Sequence, residues 1–203
     1  TFREGEIFSR KEVNKVISAM QKRLGEDAYA FAEVRMVPDV DEANKTVALR
    51  LLLVPGNKVR VRYVHFSGNE KTKDNVLRRE MRQLEGAMYQ VSKVDRSKVR
   101  LQRLNYIGSV NVGVEKVANS VDEVDLEVQV TERFSGNLSI GLGFSQVQGI
   151  TLQLGFAHEN IFGTGNKLEF QFNNSDVARQ YSLSYQNPYY TPEGVSRGFT
   201  LSI

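Results

Sequence analysis

Apolar and polar positions follow two different rules along this chain, and the rule changes near Phe134. Beyond that point apolar residues occupy every second position. Leu138, Ile140, Leu142 and Phe144 fall on one side, and Ser139, Gly141, Gly143 and Ser145 on the other. The alternation returns at Ile150, Leu152, Leu154 and Phe156, at Leu168, Phe170 and Phe172, and at Tyr181, Leu183 and Tyr185. A period of two is that of a strand with one covered face. It predicts five strands, at 138–144, 150–156, 167–172, 181–185 and 199–203. No helical pattern intervenes, so antiparallel hairpins should join them. The pattern alone does not choose between a protein core and lipid as the cover.

Before Phe134 the spacing is helical. Val13, Val16, Ile17, Met20 and Leu24 mark one amphipathic helix, and Val94, Val99, Leu101 and Leu104 a second, less regular one. Their surroundings align as a repeat: GEIFSRKEVNKVISAMQKRL (5–24) matches GAMYQVSKVDRSKVRLQRLN (86–105), with Gly5 on Gly86, Phe8 on Tyr89 and Val13 on Val94. Ser9 followed by Glu12 has the spacing of a capping box. Two strand-like runs follow each helix, 32–37 and 46–54 in the first copy and 110–118 and 124–130 in the second. Polar turns at 39–44 and 119–122 join them. The second copy is preceded by a strand at 59–66, a turn at Ser67-Gly68-Asn69 and a helix at 71–84. The unit is therefore β-α-α-β-β over roughly 75 residues, and tandem units read as an array. The first copy lacks its opening strand and most or all of its first helix, so the chain is expected to begin inside a domain.

Composition separates the same two regions. Residues 1–134 hold 24 Lys/Arg and 20 Asp/Glu, whereas 135–203 hold 3 and 4, too few to cover a soluble surface. The later region holds 9 of the 16 glycines and 10 of the 19 Phe and Tyr. Over all 203 residues the net charge of +3 is too weak to imply nucleic acid. The absence of cysteine removes disulfides, thiolate catalysis and Cys-based zinc sites. No apolar run reaches the 18 or so residues of a transmembrane helix, and no signal-peptide pattern is present.

A β-sandwich uses such strands too, but three features favour a membrane barrel. The non-apolar face carries Gly, Ser, Thr, Gln, Asn and Glu with few charges, as a wet lumen requires. The turns at one end are aromatic, Ile161-Phe162 in NIFGTGN and Tyr189-Tyr190 in NPYYTPEG, as at a membrane interface. The other end, QVQG and NNSDVAR, is polar. Five strands do not close a barrel, so the chain is expected to stop partway through one. An open apolar sheet should be poorly soluble or disordered unless something covers it.

With FSGNEKTKDNVLRREMRQLEG (66–86), NIFGTGN (160–166) and NPYYTPEGVSRG (187–198), the β-α-α-β-β array running into barrel strands resembles the BamA family. These are outer-membrane protein assembly factors whose repeats are called POTRA (polypeptide-transport-associated) domains. The resemblance spans the chain and implies α+β POTRA repeats followed by antiparallel strands of a truncated outer-membrane β-barrel. Residues 1–57 would be most of a fourth POTRA domain, 58–134 a fifth, and 135–203 the first barrel strands. It implies the outer membrane with POTRA domains in the periplasm, and as partners unfolded outer-membrane proteins, lipoproteins of the assembly complex and the bilayer. It implies no enzyme and no cofactor. A POTRA-containing secretion or translocation pore is the alternative within that kinship, and a soluble peptide-binding module fused to a β-sandwich the alternative outside it. The family's Arg-Gly-Phe motif lies in a late barrel loop, so SRGF at 196–199 is not given that role.

Catalytic and metal chemistry finds no foothold. His65 lies inside a strand and His158 at a strand end, with no Ser-His-Asp spacing. GTGNK (163–167) lacks P-loop spacing and reads as a tight turn. Arg78, Arg79 and Arg82 on the predicted helix 71–84 lack the interleaved aromatics of a nucleic-acid site. They read as a solvated face, with Asp74 paired to Arg78. The resemblance implies another use, in which Arg78, Arg82 and Glu85 dock the helical-repeat lipoprotein BamD. Glu85→Lys would then weaken that docking and leave the melting temperature almost unchanged.

Two backbone edges are further candidates. The strand 110–118 in a small sheet can present unpaired N–H and C=O groups, so Val110, Val112, Val114 and Lys116 could receive an extended client peptide. Alternatively, Glu115 and Lys116 protect that edge from aggregation. The strand 137–145 is the second, with Asn137, Ser139, Gly141, Gly143 and Ser145 on its wet face. Its glycines weaken packing, so closure there should be poor. The resemblance implies that this seam opens laterally and pairs with a client strand.

Overall fold

The structure is a computed structural model that describes residues 5, 7–147 and 149–203. Glu6 of the aligned repeat and Gln148 of the polar QVQG turn lie outside the described residues, as do residues 1–4 of the first domain. The chain divides into two compact units, one of residues 1–65, 81–98 and 112–128, the other of 66–80, 99–111 and 129–203.

The first repeat consists of α1 (Arg10–Glu26), β1 (Glu33–Asp41) and β2 (Thr46–Val54). Both strands pair antiparallel, from Glu33 opposite Val54 to Asp41 opposite Thr46. Val13 and Gly25 are the buried residues of α1, and Leu51, Leu52, Leu53 and Val54 of β2 stay exposed. Ser9 does sit at the N-cap of α1, but its side chain makes no capping bond. The capping box does not form: the Glu12 carboxylate accepts instead from Lys15 Nζ, at 2.7 Å.

The second repeat consists of β3 (Arg60–Ser67), α2 (Asp74–Arg78), α3 (Val91–Gln102), β4 (Ile107–Lys116) and β5 (Glu123–Glu132). Its three strands lie in the order β3-β5-β4. Central placement suits β5: Val124, Leu126, Val128 and Val130 are buried, alternating with Glu123, Asp125, Glu127 and Gln129. Each such side chain contributes about 1.5–3 kcal/mol on burial.

The helix predicted at 71–84 is a correction, because α2 spans only five residues. The backbone N–H groups of Arg82 and Gln83 donate to Ser97 Oγ, at 2.7 and 3.3 Å, rather than to carbonyls four residues back. Gln83, fully buried, then holds the non-helical stretch in place. Its Nε2 donates to the Met88 carbonyl and its Oε1 accepts from Gln90 N–H. A tertiary partner outbids the helix, which local pattern cannot reveal.

At the contact of α1 with α3, the Glu26 carboxylate accepts from both the backbone N–H and the hydroxyl of Ser92, at 2.9 and 2.8 Å. Lys22 Nζ adds a bond to Asp95 Oδ2 at 2.8 Å. A carboxylate at a helix start satisfies an orphan donor and complements the helix dipole.

After Phe134 the five strands are β6 (Gly136–Ser145), β7 (Gly149–Ile161), β8 (Asn166–Asn174), β9 (Arg179–Asn187) and β10 (Arg197–Ser202). They form one antiparallel sheet in the order β10-β9-β8-β7-β6, with β6 and β10 as its edges and no closure. One face is apolar and open: Leu138 and Leu142 are 70% and 80% exposed, with Ile140, Phe144 and Ile150 in the same state. Each strand begins a residue or more before its alternating core, β7 reaches Ile161 past an irregularity after His158, and β10 ends at Ser202, one residue short of the expected end. His158 therefore lies within a strand, not at its end.

Candidate functional site

The β7–β8 turn is seated on the loop that opens α2. Phe162, Gly163 and Gly165 take positive φ there, and the Gly163 carbonyl accepts from Lys73 N–H at 3.0 Å. Asn160, at the end of β7, binds in both directions. Its Nδ2 donates to Thr72 Oγ1 at 2.9 Å, and its Oδ1 accepts from Gly165 N–H at 2.7 Å. Asn160 is 7% exposed and Thr72 2%, so both amide bonds are made away from water. From β5, the Glu132 carboxylate accepts from Thr72 N–H at 2.6 Å and Lys71 N–H at 3.0 Å. A continuous polar chain thus runs Glu132–Thr72–Asn160–Gly165.

Burial is the largest influence on Glu132 and pushes its carboxyl up. Hydrogen bonds from Thr72 and Lys71 outweigh it and hold the group below the ordinary 4.5 of a glutamate. A carboxyl with a depressed folded pKa contributes stability that is complete above the unfolded value and lost as pH falls through the folded one. Acidification below about pH 4.5 should therefore loosen the seat first, read as faster amide exchange at Lys71 and Thr72. Glu132→Gln should flatten that acid dependence. An unaltered acid limb in the variant would place the titrating group elsewhere.

A second contact forms at NPYY. The Arg79 guanidinium lies 4.2 Å from the Tyr189 ring centroid, and Arg100 Nη2 donates to Tyr189 Oη at 2.9 Å. The same Nη2 pairs with Glu80 Oε2 at 2.7 Å, and the Glu80 side chain is only 6% exposed. Tyr106 is buried beside this group, and burial above all pushes its phenol up to about 12. Of the aromatic residues in the turns, Phe162 and Tyr190 are exposed, but Tyr189 turns onto Arg79 and Arg100. Within GTGNK, 163–165 form the expected tight turn, and Asn166 and Lys167 already begin β8.

Among the residues assigned to docking, Arg78 lies on α2, with its Nε 3.0 Å from Asp74 Oδ2 and its guanidinium over Phe66. Arg82 lies beyond the helix, not on it as the longer helix implied, and Glu85 follows in the same non-helical stretch. All three are exposed. Glu85 also has internal work: its Oε1 accepts from Val64 N–H at 2.8 Å. Glu85→Lys would give up that bond, at a cost of about 1 kcal/mol, so an unchanged melting temperature is no longer expected.

β4 does lie at a sheet edge. Val110 is buried, Val112 and Val114 half-buried and Lys116 exposed. Lys116 Nζ sits 4.7 Å from the Phe31 ring centroid, so one end of this edge already meets the first repeat. On the other candidate edge, β6 pairs with β7 alone, from Gly136 opposite His158 to Ser145 opposite Gly149. Asn137 stands opposite Ala157 and Ser139 opposite Gly155, while Gly141 and Gly143 face Gln153 and Thr151. Asn160, Thr72 and Glu132 carried no role in the sequence reading. Asn160 stands inside a quoted motif, but a buried amide between two turns leaves no periodic signal.

Comparison with known proteins fits this geometry. The chain matches the POTRA family (surface antigen variable number repeat) over residues 1–56 and 59–133. It is 37% identical to the outer membrane protein assembly factor BamA of Neisseria meningitidis serogroup B, over 98% of this chain and 25% of that protein. With BamA of Buchnera aphidicola it shares 30% identity over 91% of this chain and 30% of that protein. The crystal structure of BamA from Haemophilus ducreyi lacking POTRA domains 1–3 superposes with a TM-score of 0.84 at 32% identity, over 99% of this chain and 38% of that one. The chain spans between a quarter and a third of the curated relatives' length.

Proposed function

Because the chain belongs to the POTRA family, we propose that it forms the junction of an outer-membrane protein assembly factor, where periplasmic repeats meet the first strands of a transmembrane barrel. The observation that carries this reading is the sheet itself. Its apolar face is open strand after strand, and the turns at one end are seated on a POTRA repeat. A β-sandwich would bury that face. In this reading 1–57 and 58–134 are the fourth and fifth POTRA domains, and 135–203 begins the barrel. The repeats receive unfolded outer-membrane proteins, β4 offers backbone donors and acceptors to an extended client, and β6 templates client strands at a seam its glycines leave weak. No enzymatic step and no cofactor enter; backbone pairing and burial in the bilayer supply the drive. Arg78, Arg82 and Glu85 meet a lipoprotein of the complex, where single charges set register.

In the full-length protein, mobility in gels should depend on heating, as a closed barrel requires. A cysteine pair locking residue 140 to the last barrel strand should arrest assembly of other barrel proteins. Normal growth with that lock fully formed would refute the templating role. Glu85→Gln keeps an oxygen for Val64 N–H while removing the charge, so reduced lipoprotein co-purification by that variant reports docking and not folding.

A further inference from the structure

Strand register sorts the side chains of the sheet into rows across its apolar face. One row runs through His158, Leu168, Tyr185 and Phe199, and those strand positions pair in sequence from β7 to β10. Two residues nearer the NIFGTGN and NPYY turns, the next row is Asn166, Asn187 and Arg197, with Arg197 directly opposite Asn187. The face therefore changes from apolar to polar within one step of about 7 Å. Lys167, Arg179 and Arg197 are the only Lys and Arg after Phe134. Alternation puts Lys167 on the opposite face, and Arg179 begins β9 at the far end of the strands.

Arg197 is held where it stands. Its guanidinium lies 4.9 Å from the Tyr190 ring centroid, and Nη1 donates to Tyr190 Oη at 3.1 Å. A guanidinium has five N–H donors, of which this bond uses one. The two residues close one end of a groove of about 290 Å³ lined by Tyr185, Asn187, Tyr190, Arg197, Gly198 and Phe199. Tyr185 and Phe199 stack at 5.7 Å to form its apolar wall, and Asn166 Nδ2 fixes the Tyr185 hydroxyl at 2.8 Å. The wall continues along β10 through exposed Leu201 to Ile203.

A cation at one end, aromatic walls and an apolar track at the other match an amphiphile with an anionic head. We propose that this groove binds a glycerophospholipid, its phosphate on Arg197 and Tyr190 and an acyl chain along Phe199 and Leu201. Arg suits the phosphate because its planar donors match the oxygens in pairs. An extended peptide would instead pair with the backbone along the open β10 edge, whereas the side chains that line this groove are rings, one amide and one charge. The inference rests on reading the sheet as the lipid-facing part of a barrel.

The test uses full-length protein in nanodiscs of phosphatidylethanolamine with a minor share of phosphatidylglycerol, released and weighed by native mass spectrometry. Wild type should retain phosphatidylglycerol, and Arg197→Gln should retain roughly tenfold less, the loss of one charge-assisted bond. Arg179→Gln should behave as wild type, and excess inorganic phosphate should displace nothing. Equal retention by wild type and Arg197→Gln overturns the site. An equal loss in Arg179→Gln overturns it as general surface charge, and displacement by phosphate overturns it in favour of a free anion. Displacement by an added client peptide likewise overturns it in favour of a strand-binding edge. Failure to enter the nanodisc removes the membrane reading and this inference together; entry with equal retention removes this inference alone.

Discussion

Gly163→Ala is expected to unseat the β7–β8 turn. Gly163 has φ +69°, and a Cβ added there would fall on the Lys71 carbonyl oxygen. Left-handed backbone costs an alanine about 1–2 kcal/mol. The clash adds to that, because its partner is main chain on a loop already fixed by Glu132 and cannot rotate away. Together they come to about 3 kcal/mol or more, the range reserved for strain at special backbone positions. The readout is the Lys73 amide, which donates to the Gly163 carbonyl. Its exchange in the full-length protein should accelerate by about a hundredfold, the equivalent of that energy. Amides of α3 should keep their rates. Unchanged exchange at Lys73 would mean that the turn carries no seat.

Asn160→Leu attacks the same contact from the polar side. It leaves Gly165 N–H without an acceptor and Thr72 Oγ1 without its donor, both in buried surroundings. An orphaned buried group costs about 1–3 kcal/mol, so the loss should reach about 2–5 kcal/mol. Thr72→Val removes the partner of one bond, and the double variant should then be less destabilised than the sum by about 1 kcal/mol or more. Strict additivity in chemical unfolding would show that the two side chains do not act on one another. Both predictions concern the place where repeat and sheet are joined, which makes assembly activity a second readout: a loosened junction should depress it while POTRA folding persists.

How far the chain could be read beforehand depends on whether the signal is periodic. All five strands of the sheet and their hairpin order follow from apolar residues at every second position, α1 and β5 from similarly regular patterns, and α3 from a looser helical spacing. Seats and breaks are not periodic. The helix at 71–84 stops at Arg78 because Ser97, far along the sequence, takes the Arg82 and Gln83 amides. Ser9 and Glu12 have the right spacing for a cap, yet Lys15 is a nearer partner for the carboxylate. Tyr189 and Tyr190 are neighbours of one kind in the sequence, but one stacks under Arg79 and the other stands at the rim beside Arg197. The edge positions of β4 and β6 were legible; Asn160, Thr72 and Glu132 were not, since each acts through a side-chain bond across more than 50 residues.

The Glu26 carboxylate at the start of α3 bears on how such arrays can change over time. A repeat whose helix is capped from within can be duplicated, deleted or exchanged as a self-contained module. Here the cap on Ser92 comes from the preceding copy, 66 residues earlier. Transplanting the second repeat alone would strip its helix of an acceptor and, with Lys22 gone, of the bond to Asp95. The helix of the second copy is therefore completed only in the presence of the first, and an exchanged neighbour would have to carry a carboxylate at the position of Glu26 to keep the joint.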